Sequence, residues 1–181
     1  MAISGLVITY NEEKNIGKCI DALFEVCDEV IIVDSLSADN TVKIAEEKGA
    51  KVISQKFLGD GPQRTHGLPF CKNDWILNLD ADEFLDKDAK EFILKEKYLE
   101  GNYDAFSFRV KNFLADELID FSGWYPDHKV RFFNKKTAKP SEAKVHQKIE
   151  TTNEKKVAVH ILHYGWESFQ QIIAKKNQYS T

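Results

Sequence analysis

The sequence predicts an α/β fold: a mostly parallel central sheet flanked by helices, followed by a β-rich second half. Three observations predict it. Short β-branched runs alternate with amphipathic helical patterns through residues 1–80, the rhythm that gives a parallel sheet with right-handed crossovers. Those runs are apolar throughout and then close on polar or acidic residues, as strands covered on both faces do. After about residue 100 extended segments follow one another without helical patterns between them.

Composition sets the outer bounds. The 181 residues suit one domain, 1–181, with a core of useful size, and 43% hydrophobic with 30% charged residues is ordinary for a globular chain. A formal net charge of −4 supplies no basic field to recruit nucleic acid, so no nucleic-acid partner is expected. No apolar run approaches a membrane span, and the opening Met1–Tyr10 lacks a basic leader and reads as a strand. Cys19, Cys27 and Cys71 have no metal spacing and read as buried small hydrophobes in a reducing, cytoplasmic setting.

Taken in order, Ile3 to Tyr10 is a strand, and Asn11 is placed to cap a helix that opens on Glu12 and Glu13. Ile16, Ile20, Leu23, Phe24 and Cys27 mark one face of that helix. Glu29 to Asp34 is a second buried strand, Ser35 to Asn40 a polar loop and Thr41 to Lys48 a helix, with Gly49 as its C-terminal glycine. Lys51 to Phe57 is a third strand, and a short helix from about Gln63 to Cys71 leads to a fourth over Asp74 to Asp80. Asp88 to Leu99 is an amphipathic helix, for which Asp86 or Asp88 can serve as the cap. Ala105 to Phe113, Lys129 to Phe133, Val145 to Ile149 and Val157 to His163 are strands, interrupted by a Gly123–Pro126 turn, and Glu167 to Tyr179 closes as a helix.

The fourth strand carries the sharpest chemical signal. It ends in Asp80, Asp82 and Glu83, which cannot all remain ionised side by side without a compensating cation. A divalent metal with oxygen ligands, part of its shell left to a phosphorylated substrate, is one solution. A strand running into a turn whose acids cap the next helix is the other.

The other strand ends carry ligand-type groups to the same edge, where open α/β sheets bind ligands. The first delivers Thr9, Tyr10, Asn11 and Glu12, the second Asp34 with Ser35 and Ser37, and the segment after the third delivers Gln63 and Arg64. Carboxylates suit ribose hydroxyls and base NH groups, an aromatic can stack on the base, and arginine pairs with phosphate. Each also has a structural reading: Tyr10 as an edge aromatic, Asp34 as a helix cap, Arg64 in an ion pair. Neither Gly-x-Gly-x-x-Gly nor a Gly-Lys-Ser/Thr loop occurs, which argues against dinucleotide binding and nucleotide hydrolysis.

The runs Thr9-Tyr10-Asn11-Glu12, Val33-Asp34-Ser35-x-Ser37-x-Asp39-Asn40-Thr41, Gln63-Arg64 and Asn78-Leu79-Asp80-Ala81-Asp82-Glu83 together resemble family 2 glycosyltransferases of the GT-A fold. Gly123-Trp124-Tyr125-Pro126-Asp127, Val130-Arg131-Phe132-Phe133 and Val145-His146 resemble, within that family, the bacterial lipopolysaccharide-core β-glucosyltransferases. The resemblance implies metal-dependent, inverting transfer from a nucleotide-diphosphate sugar, a UDP-sugar in the first instance, to a bacterial surface glycan or glycolipid. It divides the domain into a nucleotide-sugar half, 1–100, and an acceptor half, 101–181. It gives Thr9, Tyr10, Glu12, Asp34 and Arg64 to the nucleoside and phosphates, and Asp80 to the ribose and metal region. Asp82 becomes the direct ligand of Mg²⁺ or Mn²⁺, with His163 as the late histidine on the same metal and His160 its competitor. Strand alternation sets those histidines on opposite faces.

Inversion needs a base beside the acceptor hydroxyl. The branch carries an acid directly after its Val-His, where this chain has Gln147, so Asp127 is the preferred base, then His146, then Glu142. The same substitution leaves room for a catalytically silent relative that only binds the nucleotide sugar. Trp124, Tyr125 and Trp166 are candidates for a sugar platform or for packing. Lys135, Lys136, Lys139, Lys155 and Lys156 are candidates for an anionic surface or a solvated face. Relatives continue past the closing helix, so the chain reads as truncated or short, and it is expected in the cytoplasm, with peripheral association at the inner membrane face.

Overall fold

The computed structural model describes residues 1–115, 117–120, 125–143 and 147–166, the last of these, Trp166, through its backbone only. The expected closing helix, Gly123, Trp124, Val145 and His146 lie outside the described residues.

The first half is three β-α units and a fourth strand: β1 (Ile3–Thr9), α1 (Ile16–Phe24), β2 (Glu29–Asp34), α2 (Thr41–Glu47), β3 (Lys51–Ser54), α3 (Asp60–Gly67) and β4 (Trp75–Asp80). Next come β5 (Glu83–Leu85), α4 (Lys87–Leu94), β6 (Ala105–Leu114), β7 (Glu117–Ile119), β8 (Asp127–Asn134), β9 (Lys139–Pro140), β10 (Ile149–Glu150) and β11 (Glu154–Trp166). Among the described residues the main sheet has nine strands in the order β3-β2-β1-β4-β8-β6-β11-β5, with β7 on β6. β9 and β10 form a separate two-stranded ladder.

The pairs β3–β2, β2–β1 and β1–β4 are parallel, as the β-α rhythm requires. The second half enters antiparallel through β4–β8 and β8–β6, and β11 then runs parallel to β6. The chain builds outward from β1 to β3 and then returns to place β4 on the other side of β1. That reversal makes the β1–β4 crevice the switch point where ligands bind in open α/β sheets.

Two apolar layers cover the sheet. One joins Ile16, Cys19, Ile20 and Leu23 of α1 to Val7, Leu77, Leu79 and the aromatics Trp75, Phe92, Phe106 and Phe132. The other gathers Leu6, Ile31, Val33, Ile76, Ala105 and Phe133. α3 lies tight on that second face because it ends in Gly67, where a Cβ would fall 2.6 Å from Leu6 and 2.7 Å from Val33. This close approach brings Arg64, one turn earlier, to the sheet's edge.

Several expected boundaries move. Asn11 does not cap α1; it takes the left-handed conformation at φ 53°, which asparagine tolerates, and α1 begins only at Ile16. β3 stops at Ser54, α3 starts at Asp60, and Asp86 caps α4 by accepting from the Ala89 amide at 2.8 Å. α4 is shorter than expected, ending at Leu94 before Glu96 turns the chain at φ 52°. The strand expected at Val157–His163 is Glu154–Trp166, and of the one expected to end at Ile149 the structure describes Ile149–Glu150. The Tyr125–Pro126 bond is cis.

Candidate active site

The parallel strands set the site's first side chains level with one another. Thr9 pairs with Asp34 across β1–β2, and Ile8 pairs with Asp80 across β1–β4. The loops beyond are stitched together: the Asn11 amide donates to Ser37 Oγ at 2.8 Å, and Asn11 Oδ1 accepts from the Ala38 amide at 2.8 Å. The Glu12 amide donates to Thr41 Oγ1 at 2.7 Å, while its carboxylate accepts from Asn15 Nδ2 at 2.9 Å. Asp34 is buried and accepts from the Ser37 amide at 2.9 Å and the Ser37 hydroxyl at 2.5 Å, so it also fixes its own loop. Thr9 is buried with no hydrogen-bond partner for Oγ1 among the described residues, whereas Tyr10 stands 60% exposed, open for stacking. Gln63 is wholly structural: its amide bonds Ser35 Oγ, the Gln55 carbonyl and the Leu58 amide.

At the end of β4 the acids divide between two partnerships. Asp80 takes Arg64 on one oxygen and Arg131, at 3.0 Å, on the other, and Arg131 also holds the fully buried Glu83 at 2.6 Å. Burial pushes the Asp80 carboxyl up, but Arg64 and Arg131, with Lys129 and His163, outweigh it and hold it well below the usual carboxylate range. Burial likewise disfavours the Arg131 guanidinium, and Glu83 and Asp80 more than reverse it.

The route by which Arg131 reaches both acids is a bulge. Phe106 of β6 pairs with Phe132 of β8 and Ser107 pairs with Val130, so Arg131 is the extra residue between them. A bulge of this kind re-aims a side chain.

The second partnership is Asp82 with His163, whose Oδ2 and Nε2 lie 3.4 Å apart. Asn112 Oδ1 sits 2.7 Å from His163 Nδ1, which places the hydrogen on Nδ1 and turns Nε2 to the carboxylate. Burial disfavours the imidazolium, but the hydrogen bond and charge of Asp82, aided by Glu83, raise its pKa. A cation that displaced the Nε2 proton would find a ring lone pair and a carboxylate oxygen facing each other across that gap. Gly165 clears the space: a Cβ there would fall 2.5 Å from His163 Nε2 and 3.4 Å from Asp82 Oδ2. No three ligating His, Cys, Asp or Glu side chains converge among the described residues, so the shell of a metal here would be completed by phosphate oxygens and water. Of the expected metal residues, Asp82 and His163 meet each other, while both oxygens of Asp80 are engaged by arginine. His160, the competing histidine, has other partners, with Tyr125 on Nε2 and Asp86 on Nδ1.

A cleft of about 600 Å³ runs from this edge into the second half, lined by Arg64, Asp80, Asp127, Lys129, Gln147 and Lys156 among others. Asp127 opens β8 half-buried, opposite Val110 of β6. Glu142 is exposed and is not among the residues lining the cleft. The candidate basic patch dissolves into local contacts. Lys135 donates to the Cys71 carbonyl, Lys136 pairs with Asp74, Lys139 lies 3.9 Å from Glu150, and Lys155 sits over the Tyr103 ring, which leaves Lys156 facing the cleft. Sequence reasoning did not single out Arg131, Asn112, Gly165 or the tie from Asp86 to His160. The one available signal was a charged residue inside the apolar strand Val130-Arg131-Phe132-Phe133, which must be paired if buried.

Switch point, acid-bearing edge and adjoining cleft define a GT-A glycosyltransferase fold. Staphylococcus aureus TarS (residues 1–349) shares it, with a TM-score of 0.63 at 18% identity over 90% of this chain and 60% of that one. The same protein is solved in complex with UDP-GlcNAc, with a TM-score of 0.63 at 19% identity over 92% and 60% of the two chains. The glycosyl transferase family 2 model matches residues 4–166, and the chain belongs to that family. An uncharacterized glycosyltransferase of Rickettsia bellii is 34% identical over 98% of this chain, which spans 65% of that protein's length. The lipopolysaccharide core biosynthesis glycosyltransferase LpsC of Rhizobium meliloti is 36% identical over 51% of this chain and 36% of its own.

Proposed function

We propose that this domain transfers a sugar, with inversion, from a UDP-sugar to a hydroxyl of a bacterial surface glycan or glycolipid. The observation that carries the reading is the conjunction of the Arg64–Asp80–Arg131–Glu83 network, three of whose members line the cleft, with the facing Asp82 and His163 just beyond the end of β4. Thr9, Tyr10, Glu12 and Asp34 edge the nucleoside side. Tyr10 offers a face for the base, and Thr9 brings a buried hydroxyl that has no partner among the described residues. Arg64 has two buried guanidinium nitrogens, Nε and Nη1, with no partner among the described residues, which suits it to phosphate as well as to Asp80. Likeness to LpsC over half the chain supports the surface-glycan acceptor.

Asp82 and His163 would hold Mg²⁺ or Mn²⁺, with Asp80 behind them. A bound divalent ion supplies charge neutralisation for a departing diphosphate. The remaining chemistry belongs to Asp127. Its carboxylate takes the proton of the acceptor hydroxyl as that oxygen bonds to the anomeric carbon, and the electron pair of the breaking bond leaves with the diphosphate. The absence of a carboxylate at Gln147 favours one second reading, a sugar-nucleotide binder without transfer activity.

Calorimetric titration with UDP-glucose and Mn²⁺ tests the proposal. Binding that requires Mn²⁺ and is lost in Asp82→Ala is the expected result. Metal-independent binding, undiminished in the variant, removes the metal role. Donor binding without transfer to any acceptor or to water selects the second reading.

A further inference from the structure

Outside the residues assigned above, one hydrogen-bonded chain of three polar side chains stands apart. Asp86 Oδ2 lies 3.0 Å from His160 Nδ1, and His160 Nε2 lies 3.1 Å from the Tyr125 hydroxyl. A carboxylate only accepts, so Nδ1 carries the hydrogen, and in the neutral ring Nε2 is left to accept from Tyr125. The chain therefore has a direction: hydroxyl to imidazole, imidazole to carboxylate.

Its far end is fixed. Asp86 Oδ1 caps α4 through the Ala89 amide at 2.8 Å, and the Asp86 amide donates to the His160 carbonyl at 3.1 Å. Its near end is a turn. Tyr125 and Pro126 lead directly into Asp127 at the start of β8, and the Tyr125 ring stacks on His160 with centroids 6.1 Å apart. β6 lies between β8 and β11 in the sheet, with Arg109 paired to His128 on one side and His160 on the other. The tyrosine thus ties the turn to a strand two places away, a separation of about 10 Å. That tie adds to the ladder pairing of Asp127 with Val110.

We infer that Asp86, His160 and Tyr125 are positioning residues that hold the turn before Asp127 and so set where its carboxylate meets the acceptor. The inference rests on the proposed reading of Asp127 as the base. It gives His160 a task other than metal binding, and it makes α4's cap part of the acceptor side.

The test uses the chain with UDP-glucose and Mn²⁺, following hydrolysis of the donor by water. Tyr125→Phe keeps the ring and removes one hydroxyl. It should lower kcat by about tenfold to a hundredfold, the scale of a small misplacement of a reacting group, while KM for donor and Tm stay near parental values. His160→Gln, whose amide can accept from Tyr125 and donate to Asp86, should retain more of kcat than His160→Leu. Ring-nitrogen NMR of His160 should show the Nδ1–H tautomer, with the Nε2 resonance moving in Tyr125→Phe. Parental kcat in Tyr125→Phe, or losses confined to KM and Tm in all three variants, overturns the inference while leaving the donor reading intact. A parent that binds the donor yet hydrolyses none overturns it as well, because no base is then at work. Absence of donor binding in the parent, seen by calorimetry, instead fails the proposed function and takes this inference with it.

Discussion

Arg131→Ala should cost more than any other single truncation at the site's edge. The Arg131 side chain is 5% exposed and its partner Glu83 is 0% exposed, with 2.6 Å between them. Without the guanidinium, the hydrogen bonds Glu83 retains include the one from the Asp80 amide at 3.1 Å. Removing one member of such a buried pair costs about 3–5 kcal/mol, because the surviving charge is left desolvated and unpaired. At about 2–4 °C per kcal/mol for a chain of this size, Tm should fall by roughly 6–20 °C. Urea titration gives the free energy directly, and an unchanged m-value would show that only stability moved. The joint variant Glu83→Gln with Arg131→Met removes both charges and should recover much of the loss.

The pH dependence has a definite sign. Asp80 has its folded pKa depressed, so its stabilisation is complete above the unfolded carboxylate value of about 3.9 and is lost as pH falls toward the folded value. Arg131→Ala removes one of its two arginines and lessens that depression. The stability difference between parent and variant should accordingly shrink below about pH 4. A loss under about 1 kcal/mol at neutral pH would refute the reasoning, since it would mean that Glu83 is solvated or otherwise compensated.

Two further outcomes follow from the same geometry. Asp127→Asn should leave Mn²⁺-dependent UDP-glucose binding at its parental affinity and lower sugar transfer at least about a hundredfold, the scale of losing a general base; equal rates would move the base elsewhere. Gly165→Ala puts a methyl where only 2.5 Å separates it from His163 Nε2, so the ring must shift from its present place beside Asp82. Mn²⁺ affinity in the presence of UDP, followed by calorimetry, should drop by about tenfold to a hundredfold, and an unchanged affinity would show that His163 takes no part in holding the ion.

What the sequence disclosed and what it hid divide along a physical line. The parallel half was legible because its elements are local: β2 spans Glu29–Asp34 and β4 ends at Asp80, where the apolar runs end in acids. Strand ends carry their polar groups to one edge whatever the side chains then do, so the residues of that edge could be named without coordinates. Their partners could not. Whether Asp80 meets a cation or an arginine depends on a crossing from β8, fifty residues on, and on a bulge that leaves no mark in hydrophobic periodicity. Asn11 misled for a related reason: asparagine suits both a helix cap and a left-handed turn, and the hydrogen bond to Ser37 in a different loop selects the turn. Of the two readings of Lys135, Lys136 and Lys139, the solvated face fits the structure: Lys136 and Lys139 are 68% and 72% exposed, and each of the three lies beside a nearby acceptor that sequence proximity does not reveal.

The same bulge explains why the two halves make one site. A regular β8 would carry on the alternation of its pairing with β6, and Arg131 would have no extra length with which to reach across β4. As built, Arg131 from the second half of the chain neutralises the first and third acids of the cluster, Asp80 and Glu83, while Arg64 from α3 takes the other oxygen of Asp80. Asp82, which lies between Asp80 and Glu83 in sequence, is left with His163 of β11 as its counter-charge. Dividing the acids in this way relieves the repulsion among three adjacent carboxylates without a metal. On the proposed reading, the carboxylate left over, beside a histidine and a glycine-cleared gap, is the one that would share a cation with the diphosphate.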